Sequence, residues 1–347
     1  MVTIVGGGIA GTVLAGALAR NRVAGDRTFC PATVFERRPE SGSGAFLVLD
    51  GHAHEVLTRL GVPLEDLHRV SHPVPGFRVH LRDTTIPSAG HRLYRRPDLM
   101  AALTGFACAA GADIRFDQPV IDIDPETATA ILDDGTAVED DLLIGADGID
   151  SLVRARLEPE RIAEYAGQVV CYGTTTTPVQ PESEAGVLHF HGHASDSPRP
   201  VGTFGHYWSE GTAFWFARLT RPPVAQRDIG FHPVDAWCDI VRTAAPGIPG
   251  LIDTLLAHTD TVHVSNTRDV PFRDAAPPRT PVLLCGDADH AITPAAGRGA
   301  REAIDDAAAL FEALRTGGDP AAAMAARRSE LAAERDLSVP VARPGPR

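Results

Sequence analysis

Residues 1–11 read MVTIVGGGIAG, and residues 33–38, further along, read TVFERR. Met1–Val5 is a short, unbroken apolar run rich in β-branched side chains, the pattern of a strand buried on both faces of a parallel sheet. Gly6–Gly11 is a glycine turn, and Thr12–Arg20 (TVLAGALAR) repeats its apolar residues at helical spacing. Thr33–Phe35 is a second strand that ends at Glu36. Strand, glycine turn, helix and strand in this order make a βαβ unit.

The glycines are spaced Gly6-x-Gly8-x-x-Gly11, each with its own task. Gly6 permits the tight turn, Gly8 lets backbone approach a pyrophosphate, and Gly11 lets helix and strand pack closely. Ile9 and Ala10 open the helix, whose free N–H groups and positive dipole end suit phosphate. Glu36 can accept hydrogen bonds from a ribose. Glu36 followed by Arg37 favours FAD over a nicotinamide nucleotide as the resident dinucleotide, with Arg37 and Arg38 either lying along the adenine or standing as solvated charges.

Further along the chain, Gly51–Leu60 reads as a helix stopped by Gly61, and Gly76–Ile86 as extended chain. Arg96–Ala110 reads as an amphipathic helix. Asp113–Phe116 and Val120–Asp124 are short strands. Ala128–Asp133 and Ala137–Glu139 flank Asp134-Gly135, a strong hairpin signal. Asp141–Gly145 and Pro281–Cys285 are further buried strands, and Val234–Thr243, Leu251–Ala257, Ala300–Leu314 and Pro320–Leu337 are helical. Between about Ala166 and Phe272 the chain turns rich in aromatics, Thr and His, the composition of a mostly antiparallel sheet. The expected fold is therefore α/β: a Rossmann-like FAD-binding domain (1–75, 91–160 and 275–347) with an inserted, mostly antiparallel β-sheet substrate domain (76–90 and 161–274). Ser338–Arg347, with three prolines, reads as a frayed tail.

Composition narrows the function. The 347 residues are 44% hydrophobic and 22% charged, as in an ordinary globular chain of about two domains. The formal charge of −13 disfavours nucleic acid as a partner. All 32 basic residues are arginine, so no mechanism can use a catalytic lysine. Five widely spaced cysteines without a C-x-x-C suggest reduced thiols, not a disulfide framework or zinc site. No run of 18 apolar residues and no basic leader is present, so no membrane association and cytoplasmic residence are expected.

Two later motifs carry chemistry. Leu142–Arg154 (LLIGADGIDSLVR) runs from a strand through a glycine turn into a helix, where Asp147 can anchor backbone N–H groups or cap the helix near Ser151. Leu284–Ala307 (LCGDADHAITPAAGRGAREAIDDA) places Asp287 after a strand, a loop set by Pro294, and Gly297 and Gly299 where backbone could approach a flat ring. The helix from about Ala300 then aims its N-terminus at that ring, where its dipole would stabilise a reduced flavin's negative charge.

With these motifs the sequence resembles the para-hydroxybenzoate hydroxylase-like (group A) FAD-dependent monooxygenases. The resemblance spans nearly the whole chain and includes Arg96 in RRPDL, matching a family arginine that contacts FAD. It implies an FAD-dependent hydroxylase that uses NAD(P)H and molecular oxygen to oxygenate a small aromatic or polyketide-like substrate through a flavin C4a-hydroperoxide. Reductase or dehydrogenase, Baeyer–Villiger and non-redox flavin chemistry are alternatives on the same scaffold, as is a binding protein without activity. The implied FAD set is Gly6, Gly8, Ile9, Ala10, Gly11, Glu36, Arg37, Arg38, Arg96, Val120, Asp147, Asp287, Gly297, Arg298, Gly299 and Ala300. Asp147 is implicated in NAD(P)H binding as well.

The catalytic candidates are Arg301, His290 and Pro294. The family's asparagine is replaced by Arg301, which can either stabilise anionic reduced flavin or turn outward to pair with Asp305. The family's small residue before the histidine is replaced by Asp289. His189, His191 and His193 would share one face of a strand, and with no fourth ligand in view a pocket or surface face is the expectation; no metal is expected.

Overall fold

The computed structural model describes residues 1–23, 32–39, 45–193, 201–294 and 297–338. Residues 339–347, most of the segment read as a tail, and Cys30 lie outside them. At its centre five parallel strands run in the order Val282–Leu284, Leu142–Gly145, Val2–Val5, Ala32–Phe35 and Asp113–Arg115. Val2–Val5 is buried at every position, as its unbroken apolar run requires. The following helix, Ile9–Val23, packs on the helices Arg96–Ala109 and Gly299–Thr316 through Val13, Leu14, Ala17 and Leu18. A methyl at Gly16 would come within 2.5 Å of the Phe106 ring, so only glycine permits this close approach.

Val120–Asp124, Thr129–Leu132 and Ala137–Glu139 form a three-stranded antiparallel sheet. Its tight turn puts Gly135 at φ +83°, and Asp134 Oδ1 accepts from Thr136 N at 2.8 Å. A second small sheet joins Phe46–Leu49, Arg92–Arg95 and Ser71–Pro73.

The largest sheet has eight strands, ordered Gly230–Pro233, Thr261–Asp269, Glu164–Thr174, Thr212–Thr220, Gly202–Ser209, Leu188–His193, Gly76–Val79 and Thr84–Pro87. Every pairing is antiparallel except that of Leu188–His193 with Gly76–Val79. The stretch read as one extended segment, Gly76–Ile86, is a hairpin turning through His80–Arg82. The helix expected over Val234–Thr243 is a 3₁₀ turn, Val234–Ala236, and a short helix, Cys238–Arg242. Period-two alternation divides the sheet's faces. Val169, Cys171, Phe204 and Trp215 pack beneath the helices Cys238–Arg242 and Pro249–Ala257. Tyr172, Phe214 and Phe216 point the other way, toward Phe46. Glycines make room for the large rings: a methyl at Gly205 would lie 2.2 Å from Phe216, and one at Gly173 2.2 Å from Trp215.

Candidate active site

The glycine turn behaves as a built cradle. Gly6 has φ +107°, and a methyl there would lie 2.4 Å from Ala146 O, in the second motif. A methyl at Gly11 would lie 2.1 Å from Gly6 O. Gly8 differs: the nearest protein atom to its missing Cβ is Ala146 O at 3.9 Å. Protein packing therefore demands glycine at positions 6 and 11 but leaves Gly8 facing free space. That is what an approaching pyrophosphate needs. Beyond it, Glu36 Oε2 accepts from Gly7 N at 2.7 Å and Oε1 from Arg38 N at 3.0 Å, so the acid is held at the strand end beside the turn. Gln118 N donates to Glu36 O at 3.0 Å, bringing the chain before Val120 to the same edge. The Val120 side chain itself packs with Val5 and Ile123.

The third motif lies against the first. A Cβ on Gly286 would sit 3.4 Å from Ala10 Cβ and 3.3 Å from Ala303 Cβ. A methyl on Gly299 would lie 3.8 Å from Asp287 Oδ1. Gly8, Ala10, Asp287 and Gly299 thus line one continuous surface. Asp287 is crowded by protein yet solvent-accessible, the condition of a side chain on the wall of a cleft. Burial raises its carboxyl pKa, with Arg96 opposing. Arg96 shares the cleft; burial lowers its guanidinium pKa, Asp287 raises it, and nearby Arg38 lowers it further. Two cations with one acid on this wall suit a bound pyrophosphate. Arg37 is exposed and acts on Asp150 at a distance. The cradle at Gly8, the Arg96–Asp287 pair and the helix Gly299–Thr316 beyond them fit FAD.

Several side chains take other posts. Asp147 caps the helix Leu152–Leu157, accepting from Leu152 N at 2.7 Å, Val153 N at 3.2 Å and Ser151 Oγ at 2.6 Å. Burial raises its pKa and these bonds lower it. Its backbone lies against Gly6, 2.7 Å from where a methyl would stand. Gly297, at φ +65° with open space around it, is needed for the turn that its N–H closes on Pro294 O at 3.0 Å. Pro294 is exposed on that loop. Arg298 pairs with Glu334 at 2.8 Å and Glu302 at 3.4 Å, leaving only its backbone, and that of Ala300, for the cofactor.

Arg301 takes the outward of its two alternatives. Its Nη1 is 3.2 Å from Asp50 Oδ2 and its Nε 3.6 Å from Asp305. Asp50 also caps the helix Gly51–Leu60, accepting from Ala53 N at 2.9 Å, so Arg301 ties that helix to Gly299–Thr316. His290 is buried, with Nε2 2.6 Å from Asp306 and Nδ1 3.7 Å from Glu302. Burial alone would lower its pKa, but Asp306 and Asp289 prevail and raise it. Both ring nitrogens face acids, which gives the imidazole a structural post. Asp289 is fully buried and accepts from Arg161 Nη2 at 2.8 Å and from Arg328 Nε and Nη2 at 2.8 and 2.6 Å.

In the second half of the site, sequence reasoning did not single out Phe46, Tyr172 or Arg218. Arg96 N donates to Ala45 O at 3.0 Å, which sets Phe46 beside the cleft. The Phe46 ring meets Tyr172 edge-on at 5.5 Å and Phe214 at 5.6 Å. Arg218 lies over Phe216 at 5.2 Å, and its Nε is buried without a partner. Among the described residues no carboxylate pairs with it: burial lowers its pKa, and Tyr172 is the one opposing influence. Tyr172 is pushed up to about 12 by burial, which Arg218 opposes. The period-two alternation of TAFWFARLT held the signal: Phe214, Phe216 and Arg218 had to share a face.

Comparison with known proteins identifies the family. The model for the family described as FAD binding domain matches residues 1–317. The chain is 27% identical over 363 residues to kynurenine 3-monooxygenase of Salinispora arenicola, covering 94% of this chain and 74% of that one. It is also 27% identical to 6-hydroxynicotinate 3-monooxygenase of Bordetella bronchiseptica, covering 89% and 81%. A solved mutant of 2-methyl-3-hydroxypyridine-5-carboxylic acid oxygenase superposes with a TM-score of 0.74 at 22% identity, covering 97% and 92%. The chain belongs to the FAD binding domain family and is an FAD-dependent oxidoreductase of the monooxygenase class, with the para-hydroxybenzoate hydroxylase-like fold.

Proposed function

We propose that this protein hydroxylates a small, electron-rich aromatic compound carrying an anionic group, with NAD(P)H as reductant and molecular oxygen as co-substrate. The observation that carries the reading is Arg218: a guanidinium on an aromatic wall, its Nε buried and unpartnered. A buried donor without a partner is costly, and an incoming carboxylate or phenolate relieves that cost. Bound FAD supplies the oxygen-transfer chemistry. The chain's own task is to orient the ring and keep water out. Phe46, Phe214 and Phe216 form an apolar slot, Arg218 binds the anionic end, and Tyr172, neutral at physiological pH, donates its hydroxyl proton to a substrate oxygen. The names of the relatives support the substrate class, since one is named for 6-hydroxynicotinate, an aromatic carboxylate.

The test is a panel of hydroxylated aromatic acids and their uncharged amides, with NADH or NADPH and ¹⁸O₂. Acids should stimulate NAD(P)H oxidation and acquire one labelled oxygen, and their amides should not. Arg218→Met should raise KM for the acid by roughly 30-fold or more, as expected for a buried charge contact of about 2 kcal/mol or above, with the flavin spectrum unchanged. Reduction without incorporation, or equal use of acid and amide, overturns the reading.

A further inference from the structure

On the face of the eight-stranded sheet opposite the aromatic wall, four histidines gather from two strands and a turn. His189 and His191 come from Leu188–His193, His206 from Gly202–Ser209, and His80 from the turn of the Gly76–Pro87 hairpin. Their rings stack: His80 on His191 at 4.0 Å, His189 on His206 at 4.8 Å, and His80 on His189 at 5.3 Å. One nitrogen each of His80, His189 and His191 lies within 4.8 Å of the others. We propose that His80, His189 and His191 form a binding site for a divalent transition-metal cation of the zinc type, which fastens the edge hairpin to the sheet.

Hydrogen bonding around the cluster leaves ring nitrogens free to ligate. His189 Nε2 is 3.1 Å from the carbonyl oxygen of Glu184, an acceptor only, so Nε2 carries the proton and the Nδ1 lone pair faces His80 Nε2 at 3.0 Å. A backbone carbonyl that sets the tautomer of a ligating imidazole is the usual outer support of a metal site. His191 Nε2 is buried with no partner, an unmet need that a cation would answer. Three imidazoles with an open position suit zinc. His206 Nε2 bonds Ser183 Oγ at 2.9 Å, and this ring backs His189 as packing. His193 continues the same face, but only His80 from the hairpin completes the set. That ligand was invisible in the sequence because it lies 109 residues from its partner.

The cation would act at a distance from the flavin. Phe77, three residues before His80, packs on Phe190 at 6.3 Å, and Phe190 meets Phe216 at 5.9 Å on the aromatic wall. Fastening the hairpin therefore holds one edge of the substrate slot.

The test uses untagged, FAD-loaded protein dialysed against chelator, then titrated with ZnCl₂ by calorimetry and with CoCl₂ by visible absorption. The expected result is one saturable site with micromolar or tighter affinity, a Co²⁺ ligand-field band beyond the flavin envelope, and a rise in Tm on adding Zn²⁺. His80→Ala and His191→Ala should each weaken binding by more than the roughly 10–100-fold that loss of an outer-shell partner costs. Each must keep the flavin spectrum and metal-free Tm of the parent for this comparison, and His80→Gln on the accessible turn serves where alanine does not fold. His258→Ala, elsewhere on the surface, should bind as the parent does. No saturable uptake below millimolar Zn²⁺, or uptake that persists in the His80 and His191 variants, overturns the proposal.

Discussion

At the scale of single residues, the glycine turn separates what the fold needs from what the cofactor needs. Gly11→Ala forces a methyl to 2.1 Å from Gly6 O, while Gly8→Ala meets nothing closer than 3.9 Å. Gly11→Ala should lose about 1–3 kcal/mol in urea denaturation, the usual cost of overpacking. Gly8→Ala should unfold like the parent but retain FAD at least about tenfold less tightly, about 1.4 kcal/mol, read from the 450 nm absorbance left after dialysis. Equal stability loss in both would place the Gly8 requirement in packing. Both glycines are the same letter in the fingerprint, and their different reasons emerge only from what faces each Cβ. Arg301 makes the same point. Its alternatives were legible in the chain, and the choice fell to Asp50, a residue 251 positions away.

Elements are joined by buried charge. The helix Pro320–Ser338 supplies Arg327, Arg328 and Arg335 to Asp306, Asp289 and Glu302 beneath the third motif. Asp289→Ala leaves Arg161 and Arg328 with only Glu158 as a nearby carboxylate, so it should cost about 3 kcal/mol, the lower end of the range for breaking a buried ion pair. A urea titration measures this. A double-mutant cycle with Arg328→Met should show coupling, and additive losses would refute a shared pair. The replacement of the family's small residue by an acid is thus matched by two arginines, one of them 39 positions on. Neither arginine stood out in the sequence: Arg161 lies in irregular chain before Glu164–Thr174, and Arg328 lies on an Arg-rich helix that reads as partly exposed until its partners are seen. The strands Ser71–Pro73 and Arg92–Arg95 were missed for a related reason: a three-residue strand ending in proline and a strand flanked by arginines carry no apolar alternation.

For the molecule as a whole, histidines set the acid limb of stability. His54, bonded to Tyr94 Oη at 2.8 Å, is lowered to about 4 mainly by burial, His191 to about 4 and His206 to about 2. These groups bind fewer protons folded than unfolded, so stability should fall as pH drops from 6.5 toward 4. His290 has the opposite sign. Its pKa is raised, so its contribution is full below 6.5 and lost as pH rises through the folded value. Asp306, its partner, is depressed because His290 and Arg327 overcome the effect of burial, and its share is lost only as pH falls below 3.8 toward its folded value. Thermal unfolding across pH should therefore show a steeper acid limb than His54→Phe does, and an alkaline decline that His290→Gln flattens. An acid limb unchanged by His54→Phe would show that the ring is not held neutral.

The βαβ unit, its dinucleotide cradle and the strand–loop–helix of the third motif were set by the sequence alone, because each is local: a buried apolar run, glycines at fixed spacing, a helix period. Tertiary structure alone decided which residues meet across the chain. The pairing of Gly76–Val79 with Leu188–His193, the Arg218 wall behind Phe46, the gathering of His80 with His189 and His191, and the arginines that neutralise Asp289 all depend on sheet order. Sheet order follows from burying whole faces together, a free energy summed over many residues that no short stretch of sequence contains.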